Sequence, residues 1–245
     1  MRNSPVYVPN GPLVTTRNWT VKSNYRIVAF MNESKSGKRL TARGAATRRR
    51  IVAAAADLAL KRGVGETSLD DVMAASGASK SQLYHYFADK NELLREAAAL
   101  QAERVLGAHA PLLEALDSLA AMRRWRDAVM TLSRRTGCPL GALVYQLPRG
   151  ARRAQTVVED GLEAWRGLIE DGLVRMQARG ELAHDAAPAD IALAVLSAVQ
   201  GGLLLSRSAK SDRPLELAFD MALAHVAAQV RRPADRSLAE TPLRR

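Results

Sequence analysis

Two short segments with helical patterns flank a single glycine, and this spacing constrains the fold of the chain more than any other feature. The first segment begins at a capping residue, either Thr67 or Ser68, and ends before Gly77. The second begins at Ser79, and Gln82 three residues later completes an S-x-x-Q capping pattern. A short helix, a tight turn with glycine and a second short helix predict a helix-turn-helix over about residues 68–87.

The second of these helices has an unusual surface. Leu83 and Phe87 are four residues apart and lie on one helix face, so we expect both in the core. The other positions are polar, aromatic or weakly basic: Lys80, Gln82, Tyr84, His85 and Tyr86. For Tyr86, packing against the first helix and a contact with nucleic acid both remain open. Such a face suits contact with phosphates and base edges.

The rest of the chain predicts helices and no strands. Aromatic residues make up only 4% of the 245 residues, and alanine and leucine are abundant, which favours an all-α fold. The first helix is expected from near Ala45 to Gly63, and the fourth from Asp89–Lys90. Later helices are expected over residues 118–135, 139–147, 151–179, 188–206 and 214–231.

Positive charge is concentrated at the start of the chain. Residues 1–50 hold eleven Lys and Arg residues and one acidic residue, Glu33. We expect residues 1–44 to be a disordered basic extension. Within it, residues 1–30 are interpreted as an over-extended start of the protein sequence. The extension is either a nucleic-acid contact or a solvated tail. A single cysteine and the lack of a signal-peptide pattern predict a cytoplasmic protein. The uncharged run Ile191 to Ser206 is too short to span a membrane.

One long stretch resembles a known family. The sequence "TRRRIVAAAADLALKRGVGETSLDDVMAASGASKSQLYHYFADKNELLREAA" is similar to the DNA-binding domain of TetR-type transcriptional regulators. Weaker likenesses follow in "GCPLGAL", "GEL" and "VQGGLLLSR". The resemblance implies a DNA-binding domain at residues 45–105 and a larger effector-binding and dimerisation domain at residues 106–232. Residues 233–245 are expected to be a disordered tail.

The resemblance also implies that the third helix enters the major groove. Exposed amides at its N-terminus favour phosphate, and Gln82 is expected to read a base edge because an amide can pair bidentately with adenine. The N-terminal ends of the second and fourth helices are expected to bind further phosphates. The predicted DNA-binding residues are Thr67, Ser79, Lys80, Ser81, Gln82, Tyr84, His85 and Lys90.

Three residues of the second domain are candidates for an effector site: Trp125, Cys138 and Trp165. Cavities in helical bundles are lined by such side chains, and the family implies a small, mostly apolar effector. We expect no cofactor and no metal, because the four histidines show no ligand spacing and no phosphate-cradling glycine loop occurs. Cys138 as an enzyme nucleophile is a weaker alternative, since no base stands near it in the sequence.

The predicted function is a ligand-responsive repressor that binds a palindromic operator as a homodimer. The apolar segments 188–206 and 214–231 are expected to form the subunit interface. The second segment carries an apolar stripe formed by Leu217, Met221, Ala224 and Ala228. The alternative is a nucleic-acid-binding protein without sequence selectivity, which would use the basic extension.

Overall fold

Residues 40–133 and 137–230 are described by the computed structural model, and they form nine α-helices. The helices are α1 (Ala42–Arg62), α2 (Leu69–Ser76), α3 (Lys80–Tyr86), α4 (Lys90–Glu114), α5 (Leu119–Ser133), α6 (Pro139–Gln146), α7 (Arg152–Ala178), α8 (Pro188–Ala209) and α9 (Arg213–Ala228). The all-α prediction is confirmed. Most of the predicted N-terminal extension, and the predicted tail at 233–245, lie outside the described residues.

The first helix starts earlier than the sequence predicted. It begins at Ala42 instead of near Ala45, because the Thr41 hydroxyl accepts a hydrogen bond from the Gly44 N–H at 3.2 Å and caps the helix. Residues 42–44, predicted as part of the disordered extension, are therefore helical. The helix ends at Gly63, whose φ of +97° is readily adopted only by glycine.

Reciprocal capping boxes define the helix-turn-helix. Ser68 and Asp71 exchange hydrogen bonds at the start of α2, and Ser79 and Gln82 do the same at the start of α3. Between the helices, Gly77 takes the left-handed conformation with φ 65° and ψ 23°. The chain therefore turns sharply after Ser76 and starts a new helix within three residues, as the sequence spacing predicted.

Helix α4 is common to both parts of the protein. Leu93 and Ala97 belong to the smaller hydrophobic core, formed with α1, α2 and α3. Ala98 and Ala102 belong to the larger core, formed with the helices that follow. The predicted domain boundary at residue 105 falls inside α4, which continues without a break to Glu114.

A buried ion pair lies within the smaller core. The Arg48 Nη1 of α1 is 3.2 Å from the Glu96 Oε2 of α4, and their side chains are only 4% and 2% exposed. Arg95 also contacts the Glu96 carboxylate. The Arg48 guanidinium lies over the Phe87 ring, 5.3 Å from its centroid. The pair thus joins α1, α4 and the residue that ends α3.

The larger core is built on close helix contacts. Helix α7 packs along α4, and α8 packs along α9. A β-carbon at Gly202 of α8 would lie 2.8 Å from the Ala218 Cβ of α9, so this glycine allows the two helices to approach closely. Trp125, Trp165 and Phe219 are almost completely buried at the centre.

The later helix boundaries differ from the predicted ones by a few residues. Residues 134–136, which include the last two positions of the predicted segment 118–135, lie outside the described residues. Helix α8 continues three residues beyond the predicted end, to Ala209, and stops where Lys210 takes a left-handed φ of 52°. It has 22 residues and a mean hydropathy of 1.6 in its most apolar window, so by length and composition it could cross a membrane. Its inner face nevertheless packs into the larger core.

Two glycines of α7 offer a matched test of this packing. A β-carbon at Gly172 would lie 2.7 Å from Leu116 Cδ2 and 2.9 Å from Leu116 Cβ, whereas one at Gly167 would meet nothing within 4 Å. We expect Gly172→Ala to destabilise the protein, because overpacking costs about 1–3 kcal/mol against a gain of about 1 kcal/mol in helix propensity. Gly167→Ala should be stabilising. Urea unfolding midpoints measure both, and shifts in the same direction would contradict the packing described.

Candidate nucleic-acid interface

Helix α3 presents one face to the core and another to solvent. Leu83 and Phe87 are 1% and 0% exposed, so their predicted core position is confirmed. Tyr86 is also buried, and its hydroxyl would lie 3.4 Å from a β-carbon at Gly44 of α1, which favours packing over a nucleic-acid contact. The outward residues are all exposed: Ser79, Lys80, Ser81, Gln82, Tyr84 and His85.

The Gln82 side chain takes part in its own helix cap. Its Oε1 accepts a hydrogen bond from the Ser79 N–H at 2.9 Å, while the Gln82 N–H donates to the Ser79 Oγ at 3.2 Å. The side chain is exposed, and its Nε2 makes no hydrogen bond within the described chain. One end of the amide is thus engaged, and the other is directed to solvent.

Thr67 and Lys90 are connected to each other. Thr67 is buried, and its hydroxyl donates to the Gly63 carbonyl at 2.8 Å, so this side chain is not at the surface where a phosphate contact was predicted. The Lys90 Nζ donates to the Thr67 carbonyl at 2.9 Å. Lys90 remains exposed, and an ammonium group has three N–H donors, of which this contact uses one. The loop before α2 therefore holds the lysine in place at the start of α4.

The basic run from Lys35 to Arg50 is described from residue 40 onwards. Two of its arginines are structural: Arg48 forms the buried pair with Glu96, and the Arg50 Nε donates to the Ser76 carbonyl at 2.6 Å. Arg43 and Arg49 are exposed. The earlier basic residues of the run lie outside the described residues.

Sequence reasoning missed the role of Arg48, although a signal was present. Arg48 lies three residues before Ile51 and four before Val52, and both of these are completely buried. This spacing puts Arg48 on the apolar face of α1. A charged residue at such a position indicates a buried partner, and the partner is Glu96.

The tryptophans predicted to line an effector cavity lie in an aromatic cluster in the larger core. The His109 ring stacks on Trp165 with centroids 4.8 Å apart and planes at 9°. It also meets Trp125 edge-on at 6.5 Å, and Trp125 meets Phe219 at 5.5 Å. His109 was not predicted as a site residue, because the four histidines show no ligand spacing in the sequence.

Three nitrogen atoms of this cluster are buried and have no hydrogen-bond partner in the described part of the chain: His109 Nδ1, Trp125 Nε1 and Trp165 Nε1. Burial lowers the pKa of His109 to about 4, so the imidazole is neutral at physiological pH. Unpartnered polar atoms in a core are costly, and a cluster of them indicates a place where a hydrogen-bonding group would be stabilised.

Cys138 lies elsewhere, beside a groove of about 680 Å³ between α6 and α8. Its Sγ accepts a hydrogen bond from the Gly141 N–H at 3.3 Å and so caps α6, and the Gln200 Nε2 lies 3.5 Å from the same sulfur. Burial raises the pKa of the Cys138 thiol, which disfavours the reactive thiolate. The groove is lined mostly by apolar side chains, with Leu162, Leu203 and Leu204 among them.

Within residues 40–133 and 137–230, no three side chains of His, Cys, Asp or Glu come together in a group that could hold a metal ion.

Two family models match consecutive parts of the chain. The model of bacterial regulatory proteins of the tetR family matches residues 51–97, which contain the helix-turn-helix. The model of the C-terminal domain of LmrA/YxaF-like transcriptional regulators matches residues 113–221. The two matches cover most of the described chain.

Relatives and solved structures agree with these matches. The chain is 28% identical over 179 residues to an uncharacterized HTH-type transcriptional regulator of Mycobacterium tuberculosis, covering 69% of this chain and 89% of the relative. A TetR transcriptional regulator from Chloroflexus aurantiacus is 26% identical with a TM-score of 0.68, covering 78% of this chain and 99% of that one. One from Cytophaga hutchinsonii, 17% identical, has the same fold with a TM-score of 0.69, covering 80% and 100%. The helix-turn-helix geometry, the family models and these relatives together show that the chain belongs to the TetR family of DNA-binding transcriptional regulators.

Proposed function

We propose that this regulator is a ligand-responsive repressor that binds a palindromic operator as a homodimer in the bacterial cytoplasm. The observation that carries the proposal is the exposed polar face of α3, on a helix whose other face is fixed by Leu83 and Phe87 in the core. Rigid support of exposed hydrogen-bonding side chains is what base reading in a major groove requires.

Gln82 is the proposed base-reading residue. With its Oε1 held by the Ser79 N–H, its Nε2 is available to donate to a base acceptor. Bidentate pairing with adenine would also require Oε1 to accept from the adenine amino group, for which the amide oxygen has a second lone pair. The cap therefore positions the amide before DNA arrives.

The remaining exposed residues are proposed to contact phosphates and sugars. Ser79, Lys80 and Ser81 surround the first turn of α3, where free amides and the helix dipole favour anions. Tyr84 and His85 extend the same surface, and Lys90 reaches it from the start of α4. Thr67 contributes indirectly, because its carbonyl holds the Lys90 ammonium.

The proposed subunit interface is an apolar surface on α8 and α9. Leu193, Leu204 and Leu205 of α8 are more than half exposed, and Leu217 and Met221 of α9 are 49% and 65% exposed. Ala224 and Ala228 continue the α9 stripe and are also exposed. Gly201 faces open space on α8, whereas Gly202 serves the contact with α9 inside one chain. A second copy packed on this surface would form a four-helix interface about a two-fold axis.

The proposed effector is a small, mostly apolar molecule. Cys138 lines the groove between α6 and α8, and Trp125 and Trp165 lie in the aromatic cluster. The groove volume is in the range of small-molecule sites, and its lining combines leucines with the Cys138 thiol and the Gln200 amide. To release DNA, the effector must bind more tightly to a dimer whose recognition helices are wrongly spaced.

Neither alternative function gains support from the contacts. For an enzyme that used Cys138, the hydrogen-bond partners of the sulfur are a backbone amide and the Gln200 amide, and neither is a base. A non-selective nucleic-acid-binding protein would use the basic extension at residues 1–44, of which the described contacts include residues 40–44 only. Binding to selected and scrambled duplexes distinguishes this alternative.

Gln82 variants separate base reading from helix capping. Gln82→Glu keeps an oxygen acceptor for the Ser79 N–H but loses the N–H donor, so we expect normal thermal stability and a loss of about 1–3 kcal/mol on an operator selected from random duplexes. Gln82→Ala should lose operator affinity and some stability. Binding titrations on selected and scrambled duplexes measure this, and wild-type operator affinity of Gln82→Glu would remove Gln82 from the base-reading role.

Lys90→Ala provides the matched phosphate-contact variant. We expect it to weaken binding to selected and scrambled duplexes alike, because a phosphate contact carries no sequence information. The slope of log affinity against log salt should fall by about one unit. An unchanged slope would show that the lysine serves only the Thr67 contact.

The interface is tested by a buried charge. Ala224→Glu would place a carboxylate without a partner at the subunit contact, at a cost of several kcal/mol per subunit, so we expect a monomer without operator binding. Ala108→Glu, at an exposed position of α4, is the control and should remain dimeric. Sedimentation at about micromolar concentration distinguishes them; a dimeric Ala224→Glu protein that binds the operator rules out this interface.

A further inference from the structure

Helix α6 lies between the groove and the helix-turn-helix domain. Its first residues border the groove beside Cys138 and Gly141, and its last residue, Gln146, also lines the groove. Pro139 and Leu143, with Ala142 which also lines the groove, face α1 and α4 around a small gap lined by Ala59 and Leu94. One short helix therefore touches both the proposed effector site and the DNA-binding part of the chain.

Gln146 makes a direct hydrogen bond to the DNA-binding part. Its Oε1 accepts from the Val64 N–H at 3.2 Å, across 82 positions of sequence. Val64 follows Gly63, which ends α1, and a β-carbon at Gly63 would lie 3.7 Å from the same oxygen. The contact is partly buried, so the Val64 amide would lose a needed partner if Gln146 moved away.

Movement at the end of α1 would be carried to the recognition helix. Val64 and Ala59 belong to the larger core, whereas Ile51, Val52 and Ala55, further up the same helix, belong to the smaller core with Leu83 of α3. In addition, Arg50 of α1 holds the last carbonyl of α2. The α1 helix is thus a rigid connection from the Gln146 contact to α3.

We infer that Gln146 is a positioning residue that couples the groove to the helix-turn-helix domain through its hydrogen bond to the Val64 amide. A molecule in the groove that displaces α6, or that competes for the Gln146 amide, would release the end of α1. The inference rests on the proposed function only in assigning the groove to an effector. The coupling itself is a property of the free protein and needs neither DNA nor ligand.

Amide hydrogen exchange at Val64, measured by NMR on the full chain, tests the hydrogen bond. Gln146→Met keeps the length of the side chain and removes the acceptor, so exchange should be about three- to tenfold faster. Gln146→Glu retains an acceptor and should restore the rate to within about twofold of wild type. The control is Gln155→Met, because Gln155 donates to the Pro148 carbonyl in the loop between α6 and α7 and makes no hydrogen bond to Val64. Equal rates in wild type and Gln146→Met, or a Gln146→Glu rate as fast as that of Gln146→Met, would overturn the inference.

The transmission step is tested by filling the groove with a side chain. A β-carbon at Gly141 would lie 2.6 Å from the Gln200 Oε1. The Gly141→Leu side chain must therefore displace Gln200 and push against α6 from the groove side. We expect Gly141→Leu to change Val64 exchange about threefold or more in the wild-type background and not in Gln146→Met. The same change in both backgrounds would overturn the inference. Gly141→Ala is the milder variant to use if circular dichroism shows that Gly141→Leu has lost helix.

Because these measurements contain no DNA, their outcome is independent of the proposed repressor function. Loss of coupling with intact operator binding would refute the role of Gln146 alone. Intact coupling in a protein that binds no preferred DNA site would refute the proposed function and leave the role of Gln146 standing.

Discussion

Helix α4 must satisfy two hydrophobic cores at once, and the arrangement of the rest of the protein depends on this constraint. Its first turns bury Leu93 and Ala97 against the helix-turn-helix, and neighbouring positions of the same helix bury Leu94, Ala98 and Ala102 against the larger core. A helix that supplies adjacent faces to two cores cannot rotate or slide in one without disturbing the other, because packed interiors tolerate little displacement. The position of the DNA-binding surface is therefore tied to the packing of the larger domain.

The buried ion pair of Arg48 and Glu96 also fixes the orientation of α3 relative to α1 and α4. Removing two charges from water is expensive, and the cost is offset here by a 3.2 Å contact, by Arg95 and by the Phe87 ring. Since Phe87 ends α3, the pair specifies how the recognition helix sits on α1 and α4. Hydrogen bonds then position two of the exposed side chains. The Ser79 N–H donates to the Gln82 Oε1, and the Lys90 Nζ donates to the Thr67 carbonyl.

The local features of this protein could be predicted from sequence, whereas its long-range contacts could not. Caps and turn glycines act over three or four residues, so Ser79, Gln82 and Gly77 specified the helix-turn-helix directly. The contact of Gln146 with Val64 spans 82 positions, and no local sequence pattern predicts it. The burial of Thr67 was missed although its contact is local: the sequence offered Thr67 and Ser68 as alternative caps, and the structure uses Ser68 to cap α2 while the Thr67 hydroxyl donates to the Gly63 carbonyl. The sites of Trp125 and Cys138 differ because helix packing, which spacing alone does not give, places one in the core and the other beside a groove.

We propose that two copies of the chain present their α3 helices together to one duplex. Hydroxyl-radical footprinting on a selected operator, combined with the protein-to-DNA stoichiometry from sedimentation, tests it most directly. We expect two protomers per duplex and two protected half-sites related by a two-fold axis, with centres separated by about one helical turn or a whole multiple of it. Protection of a single half-site by one protomer, or uniform protection without a preferred site, would contradict it.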